Sequence, residues 1–344
     1  MNKLRKKLAR FALSLCLGCL TVAAGFAQQA PQAKPTPPRA AMPAPFPGAM
    51  PPPHRGEQVT TEKAIAVDPN AALKLCVLEG SLRINGWSRS EVRVFVKNGS
   101  KFGFKVLEKD PQSGKANWLR IMNEPGPAPS PGQPSECISG ESVEIDVPVN
   151  MDVTVTGRVT QTTVDSIRKI YVKNVEGSIA LRNITGGITA LTYQGDITVE
   201  NSAGAISLET TTGNIVTYEV SPGQIGDLLK AKTNSGAISL QRLEHRQIEA
   251  SSITGSVLFN GKFLGGGIYN FKTSNGSIRL VLPVDSSMMV RATFGFGTFN
   301  SELPLTYLTE NISPMTKTIV AKSGEGDASV NVTTSSGSIG IKKQ

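Results

Sequence analysis

The sequence predicts an all-β protein built as a parallel β-helix, or β-solenoid, and three observations support this prediction. A phrase of Gly, any residue and an aliphatic residue recurs in nine-residue steps, as in "QGDITVENSAGAISLETTTGNI". Apolar and polar residues alternate after each phrase, which is the period of a β-strand. No window of the mature chain sustains a helical period. Self-similarity at a short fixed period is typical of solenoids, in which each repeat stacks on its neighbours.

Residues 1–27 have the features of a secretory signal peptide. Five basic residues precede an apolar run at 11–22, and small residues stand before a cleavage site after Ala27. Lipidation at Cys19 is the alternative to cleavage after Ala27. The apolar run is short for a spanning helix, and no second such run follows. We therefore expect an exported protein, periplasmic, cell-surface or extracellular, with no membrane span after cleavage.

Residues 28–56 are rich in proline and alanine and predict a disordered linker. The net charge of +9 does not indicate a nucleic-acid partner, because residues 1–56 carry eight Lys or Arg and no Asp or Glu. The remainder is nearly neutral, with 28 basic and 27 acidic residues. No basic stripe remains to neutralise phosphates, so we expect no nucleic-acid binding.

Residues 57–160 predict an N-terminal β region that caps or extends the solenoid. Stretches such as "SLRINGW" and "EVRVFV" alternate apolar and polar residues, whereas five prolines between 125 and 134 predict a long surface loop at 109–136. Cys76 and Cys137 are the two cysteines outside the signal peptide. An even pair in an exported protein predicts a disulfide, which in the chain-entropy model contributes about 4 kcal/mol.

Residues 161–344 predict the repeat region, in which glycines form the corners because glycine accepts a positive φ. Two units would make a rung of about 18–20 residues, with Ile179, Ile197 and Ile215 stacked in the interior and Asn183 stacked on Asn201. The intervening Ser and Thr are expected to face water. A β-sandwich is the structural alternative, but it does not explain why every turn carries the same phrase. The predicted corner glycines are Gly177, Gly186, Gly195, Gly204, Gly213, Gly236, Gly255, Gly276 and Gly337.

Several motifs resemble the bacterial "putative adhesin" domains of unknown function. They are "EGSLRINGW", "EGSIAL", "QGDITV", "SGAISL", "NGSIRLVLPVDSSMMVRATFGFG" and "TTSSGSIGI", and they span about residues 75–341. The resemblance implies a parallel β-solenoid in an exported, envelope-associated protein, and it brings no catalytic residues. The proline-rich insertion and a 23-residue step around Pro222 depart from the pattern.

The sequence offers no catalytic, cofactor-binding or metal-binding set. A calcium-binding β-roll needs a carboxylate in every unit, and Asp196 stands alone. Only His245 could join a Ser-His-Asp triad, since His54 lies in the linker, and a hydrogen-bonded or solvated histidine is the simpler interpretation. Trp87 and Trp118 fit either a patch that contacts sugars or peptides, or packing in the core and end caps.

We therefore expect a non-enzymatic, exported protein that acts as an adhesin-like or cell-envelope scaffold through the face of its solenoid. Its surface ligand is unknown, either a glycan or an envelope protein. The alternative is a carbohydrate-active enzyme, a polysaccharide lyase or hydrolase, on a parallel β-helix. A regulatory envelope sensor is a third hypothesis.

Two neighbouring substitutions test the predicted strand at Ile197. Ile197→Asp would bury a charge without a partner, so it should lower the free energy of unfolding by several kcal/mol or raise the pKa of the new carboxylate. Thr198→Asp should change the free energy of unfolding by ~0.5 kcal/mol or less, because this side chain points to solvent. Thermal unfolding of both variants checks this, and equal small losses would exclude a two-faced strand here.

Overall fold

The computed structural model describes residues 59–124 and 136–344, and every regular element in these ranges is a β-strand. The predicted signal peptide at 1–27 and the predicted linker at 28–56 lie outside the described residues, as does the proline-rich stretch at 125–135. Across the described ranges, no helix has the length and apolar character that a membrane span requires.

The strands fall into three groups along the chain. The N-terminal strands are β1 (Thr60–Trp87), β2 (Glu91–Gly99), β3 (Phe102–Lys109), β4 (Ala116–Asn123), β5 (Gly140–Pro148) and β6 (Asp152–Asp165). The repeat strands are β7 (Lys169–Glu176), β8 (Ile179–Arg182), β9 (Ile188–Gln194), β10 (Ile197–Ala203), β11 (Ile206–Thr212), β12 (Ile215–Ser221), β13 (Leu228–Ser235), β14 (Ile238–Leu243), β15 (Gln247–Thr254), β16 (Val257–Asn260), β17 (Ile268–Asn275) and β18 (Ile278–Leu282). The C-terminal strands are β19 (Met288–Phe296), β20 (Phe299–Ser301), β21 (Thr306–Ile312), β22 (Lys317–Ser323), β23 (Ala328–Ser336) and β24 (Ile339–Lys343).

The repeat strands form two parallel sheets that enclose one apolar core. The front sheet has the order β6, β8, β10, β12, β14, β16 and β18. The back sheet has the order β6, β7, β9, β11, β13, β15 and β17. Buried and exposed residues alternate along each strand, and the buried ones of both sheets form a single cluster. The predicted all-β parallel solenoid is confirmed.

The register between rungs follows the sequence repeat. Ile197 pairs with Ile179 on one side and with Ile215 on the other, as predicted. Successive front-sheet positions from Ile179 to Ile278 are separated by 18, 18, 23, 19 and 21 residues. The 23-residue step holds a turn at 222–227 that lies between the two sheets' strands. The rung therefore keeps its register while a corner absorbs the extra residues.

One corner of each rung is a glycine packed against the backbone of the preceding rung. A Cβ built on Gly213 would lie 2.0 Å from the carbonyl oxygen of Gly195, and Gly195 itself has a φ of +146°. Both the contact and the positive φ exclude a side chain. The same approach, at 1.9–2.4 Å from a carbonyl oxygen, recurs at Gly177, Gly195, Gly213, Gly236, Gly255, Gly276, Gly337 and Gly297.

A buried hydroxyl three residues before most of these glycines completes the corner. Thr210 Oγ1 donates to the carbonyl oxygen of Gly195 at 3.0 Å, and Thr233 Oγ1 donates to that of Gly213 at 3.0 Å. The expectation that intervening Ser and Thr face water is wrong for these hydroxyls, because the position is the third inward one of its strand. The other members of this hydroxyl row are Thr192, Ser252, Thr273 and Thr334.

The second corner of the rung is less regular. Gly204 has a φ of +108°, and a Cβ on it would lie 2.6 Å from the backbone nitrogen of Gly187. Gly186 was the predicted corner residue of its unit, but the positive φ, +114°, belongs to Gly187. The Gly-Gly doublet explains the difference, because either residue can adopt this conformation.

A column of left-handed residues without a glycine lies in the last residues of the front-sheet strands or directly after them. Asn201 Nδ2 donates to Asn183 Oδ1 at 2.6 Å, which confirms the predicted asparagine stack. Asparagine tolerates this conformation better than most residues. Glu219 and Arg242 are joined at 2.7 Å across two rungs of this column. The members with positive φ are Ser166, Asn183, Asn201, Glu219 and Arg242.

Both ends of the solenoid are threaded out of sequence order. β23 lies between β17 and β19, and β24 lies between β18 and β20. At the other end, β1 lies between β6 and the strands β4 and β5. The strands β1, β23 and β24 therefore each have a partner strand on both sides. None of them can separate from the solenoid without breaking two strand interfaces.

Two predicted boundaries need correction. The loop predicted at 109–136 contains β4, whose Leu119 and Ile121 are fully buried against the core. The alternation of polar and apolar residues in "NWLRIM" is typical of a strand. The prolines that follow it led to the prediction of a loop over the whole stretch. The boundary between 57–160 and 161–344 falls inside β6, which pairs with β1 on one side and with β7 and β8 on the other. The N-terminal strands thus extend the same solenoid.

Antiparallel strands cover the two ends. β2 pairs with β5 and with the start of β1, and β3 pairs with β4. At the C-terminal end, β22 pairs with β19, and β21 pairs with β22. Three of the four described sheet ends are therefore antiparallel, and the front sheet ends at its C-terminal side in the short strand β20, which pairs parallel with β24.

The hydroxyl row can be tested with two isosteric substitutions. Thr233→Val removes the hydroxyl that donates a hydrogen bond to the Gly213 carbonyl oxygen. The substitution should therefore lower the free energy of unfolding by about 1–2 kcal/mol. Thr217→Val is the control, because Thr217 Oγ1 is buried and has no hydrogen-bond partner among the described residues. This variant should be neutral or stabilising. Urea unfolding of both variants measures the two changes in free energy of unfolding. Equal losses would mean that the hydrogen bonds of the hydroxyl row do not stabilise the fold.

Candidate interaction surface

Several carboxylates of the repeat region each contact one basic side chain or one backbone donor. Asp165 contacts Arg182 at 2.6 Å, and Glu209 contacts Lys232 at 3.0 Å. Asp196 accepts a backbone hydrogen bond from the next rung at 2.7 Å. Within residues 59–124 and 136–344, no three His, Cys, Asp or Glu side chains are grouped closely enough to hold a metal ion. These pairs lie on the outer faces of the rungs.

His245 lies inside the corner that follows the 23-residue step. It is 1% exposed, and its Nε2 lies 2.9 Å from the carbonyl oxygen of Gly204. Burial lowers the pKa of His245, against the opposing effects of the Gly204 hydrogen bond and the charges of Asp227 and Glu244. The folded state favours the neutral imidazole, so this stabilisation is present above about pH 6.5 and is lost as the pH falls toward the lowered pKa. His54 lies outside the described residues.

The predicted disulfide between Cys76 and Cys137 is present, with the two Cα atoms 4.5 Å apart. Backbone hydrogen bonds flank it: Ile138 N donates to the Cys76 oxygen at 2.9 Å, and Leu78 N donates to the Ile138 oxygen at 2.8 Å. The bridge therefore fixes the segment that leads into β5 against the long strand β1.

Aromatic side chains are exposed on the N-terminal half of the back sheet. Trp118 on β4 is 43% exposed, Tyr171 on β7 is 40% exposed and Tyr193 on β9 is 59% exposed. The strands β4, β1, β6, β7 and β9 are consecutive neighbours in this sheet, so the aromatic residues span about 19 Å across the strands. Trp118 lies in the row of Lys169 and Tyr193 in the row of Val175, so they also span about 20 Å along the strands. Val175 lies beside Tyr193 and is 54% exposed.

Basic side chains share this outer face with the aromatic ones. Lys74, Lys169 and Lys173 are exposed, and no described carboxylate lies within ion-pair distance of them. Lys173 stands beside Leu191 in the pairing of β7 with β9. We call this area the basic–aromatic surface, and it consists of Lys74, Trp118, Lys169, Tyr171, Lys173, Leu191 and Tyr193.

The nearby carboxylates leave the surface with a positive excess. Asp152 is bound by Arg168 at 2.8 Å, and Glu136 is bound by Arg120 at 2.7 Å. Two further glutamates, Glu79 and Glu176, stand at the margin of the surface. They lie in one row across β1, β6 and β7, near the ends of these pairings. The lysines in the middle of the area therefore remain available to an anionic group.

The front sheet continues beyond β6 through β1, β5 and β2, and this part carries a cluster of aromatic and charged side chains that contact one another. The guanidinium of Arg93 lies 4.8 Å from the ring centres of both Trp87 and Phe95, and it contacts Asp146 at 2.8 Å. The hydrogen bond to Asp146 raises the pKa of Arg93. Arg89 covers Trp87 from 5.0 Å as well. This group packs on itself, so the two tryptophans singled out in the sequence have different environments.

The sequence did not single out the lysines and tyrosines of the back sheet. Their signal is the alternation in "KIYVKNV" and "ITALTYQ", where the outward residues are Lys, Tyr, Lys, Val and Thr, Leu, Tyr. Two strands that are 18 residues apart place these residues side by side. Recognising the surface requires the face assignment as well as the rung register.

The two parallel sheets, the glycine corners and the alternation of buried and exposed residues define a repeat β-solenoid protein. The chain belongs to the Toastrack DUF4097 family, whose model matches residues 139–342. This match confirms the resemblance seen in the sequence motifs. It assigns the chain to an all-β solenoid family of unknown function. No curated protein matches the sequence.

One solved structure shares a weak likeness with the chain. It is described as the crystal structure of a "putative cell adhesion protein" from Clostridium sporogenes ATCC 15579. The two are 12% identical, the match covers 84% of this chain and 100% of that chain, and the TM-score is 0.24. A score this low carries no conclusion about the fold or the function of this protein.

Proposed function

We propose that this protein is an exported, non-enzymatic solenoid that binds an acidic glycan of a cell surface through the basic–aromatic surface. The observation that carries the proposal is that three lysines without a described ion-pair partner and three exposed aromatic rings share one outer face of the back sheet. The role is adhesin-like or that of an envelope scaffold.

The aromatic side chains supply the apolar part of the contact. Tyr and Trp have an apolar body and a polar tip, so they are suited to surfaces where one side of a ligand is apolar and the other is wet. The rings of Tyr171 and Tyr193 lie on adjacent strands of the back sheet. A rigid sheet holds them without the entropy cost of ordering a loop.

The lysines supply the charge selectivity. Lys173 lies on the same strand as Tyr171 and points to the same side. An ammonium group at a protein surface attracts a carboxylate or sulfate with an energy that depends on salt. A neutral glycan would gain only the aromatic contacts, so we expect preference for acidic polymers.

Export and presentation fit this role. The predicted signal peptide would direct the chain out of the cytoplasm, and the predicted linker would separate the solenoid from an attachment point. A disulfide is a common stabiliser of exported domains. These features support an extracytoplasmic site of action for the proposed binding.

The competing hypothesis is a carbohydrate-active enzyme on the same fold. Glycoside hydrolases use two carboxyl groups about 5–9.5 Å apart on either side of the scissile bond. The repeat-region carboxylates described above have basic partners or backbone donors as neighbours. No specific observation in the described ranges favours turnover over binding. The binding experiment below therefore includes breakdown of the glycan as the result that would support an enzyme.

The binding proposal predicts selective loss on one half of the back sheet. A uronic-acid polymer should bind the full-length chain, and a neutral glucan should bind it far more weakly. Lys173→Ser and Tyr193→Ser should each weaken binding about five- to tenfold, or ~1–1.4 kcal/mol. Biolayer interferometry at two salt concentrations measures both effects, and the Lys173 variant should show the smaller salt dependence.

Matched controls come from the other end of the same sheet. Lys272 occupies the same outward row as Lys173, and Ile253 occupies the same row as Tyr193. Lys272→Ser and Ile253→Ser should leave binding unchanged. Equal losses in all four variants would contradict a localised site. Breakdown of the polymer that stops after mutation of one carboxylate would replace the proposal with the enzyme hypothesis.

A further inference from the structure

The C-terminal end of the back sheet finishes in a strand with an open edge. β21 pairs with β22 through one side, and its other side has no strand partner in the described residues. All seven residues of β21 are exposed. Its unpaired N–H and C=O groups are therefore available to another strand.

The other edges of the described solenoid carry features that discourage strand addition. β3 carries Lys105, Glu108 and Lys109 within eight residues. The edge segment of β1 at 60–66 includes an adjacent glutamate and lysine, and β20 is only three residues long. Charged or short edge strands resist pairing with another chain.

β21 lacks most of this protection. Its only charged residue is Glu310, and a bulge at Leu308 is its one irregularity. The strand is apolar at both ends, with Tyr307 56% exposed, Leu308 52% exposed and Ile312 64% exposed. An exposed apolar edge of this kind marks an interaction site.

Two more apolar side chains extend the strip beside the hairpin turn. Met315 is 77% exposed and Phe296 is 71% exposed. The backbone oxygen of Met315 approaches Gly295, so this turn packs next to Phe296. Five such side chains expose on the order of 600 Å² per copy, since each large side chain presents roughly 150–250 Å². A contact that covers all five side chains in both copies would bury at most about 1,200 Å², which is the lower limit for a specific interface.

We propose that a second copy of this chain covers this strip, with the two β21 strands paired antiparallel about a two-fold axis at Thr309. This register places Glu310 opposite Leu308 of the copy, so the two carboxylates do not face each other. It also places Thr309 opposite Thr309, a favourable cross-strand pair. The back sheet then runs through both copies, and the isologous contact closes at a dimer.

This proposal is independent of the glycan-binding proposal, because the strip lies at the opposite end of the back sheet from the basic–aromatic surface. A dimer would place two basic–aromatic surfaces at the two far ends of one rod. Failure of either proposal therefore leaves the other intact.

Sedimentation and crosslinking of the full-length chain test the dimer. The wild-type chain should sediment as a dimer at micromolar concentration. Leu308→Lys should raise the dimer dissociation constant at least tenfold without lowering the melting temperature, since the side chain is exposed. Leu107→Lys, on the exposed face of edge strand β3, is the matched control and should change nothing.

Thr309→Cys tests the register directly. Opposed Cβ atoms lie about 4.5–5.5 Å apart in an antiparallel pair, so mild oxidation should give a covalent dimer. Lys105→Cys on β3 should not crosslink. A monomeric wild-type chain at about 100 µM overturns the proposal, as does a Thr309→Cys variant that fails to crosslink. Head-to-tail filaments that form through β3 overturn it too.

Discussion

The close approach of one glycine to the carbonyl of the glycine in the preceding rung is the constraint on which this structure depends. A side chain at that corner would overlap a backbone oxygen, which cannot move aside as a flexible side chain can. Because the corner has no side chain, the strands on both sides reach hydrogen-bonding distance with the same register. The hydroxyl row then supplies a donor to the corner carbonyl. Each rung thus positions the next through its backbone, and the core aliphatic residues stack as a consequence.

The parts of the fold that follow from local spacing could be predicted, and the parts that depend on distant segments could not. The stacking of Ile179, Ile197 and Ile215 follows from an 18-residue period, and the asparagine pair follows from the same count. Thr233 was expected at the surface because threonine is polar, although its position within the strand is an inward one. The threaded ends escaped prediction because the rung that follows β17 and β18 lies 61 residues further along the chain.

The outward positions are where such a fold has freedom to vary its side chains. Inward positions are constrained by the core and corners by backbone contact, so the outward positions of each strand carry most of the freedom. On the front sheet, Arg93 is saturated by two rings and a carboxylate. On the back sheet, Lys173 has no such partner among the described residues. The sequence displays both as alternating polar residues, and only their neighbours in the sheet distinguish an internally paired cation from one without a described partner.

The most direct test of the glycine corner compares two alanine substitutions by thermal and urea unfolding. Gly255 has a φ of +146°, and its Cβ would lie 2.0 Å from the Gly236 oxygen, whereas a Cβ on Gly340 meets no atom within 4 Å. We expect Gly255→Ala to lower the free energy of unfolding by about 3 kcal/mol or more. We expect Gly340→Ala to change it by about 1 kcal/mol or less. Equal, small changes in both variants would contradict the claim that backbone contact at the corner sets the register of the solenoid.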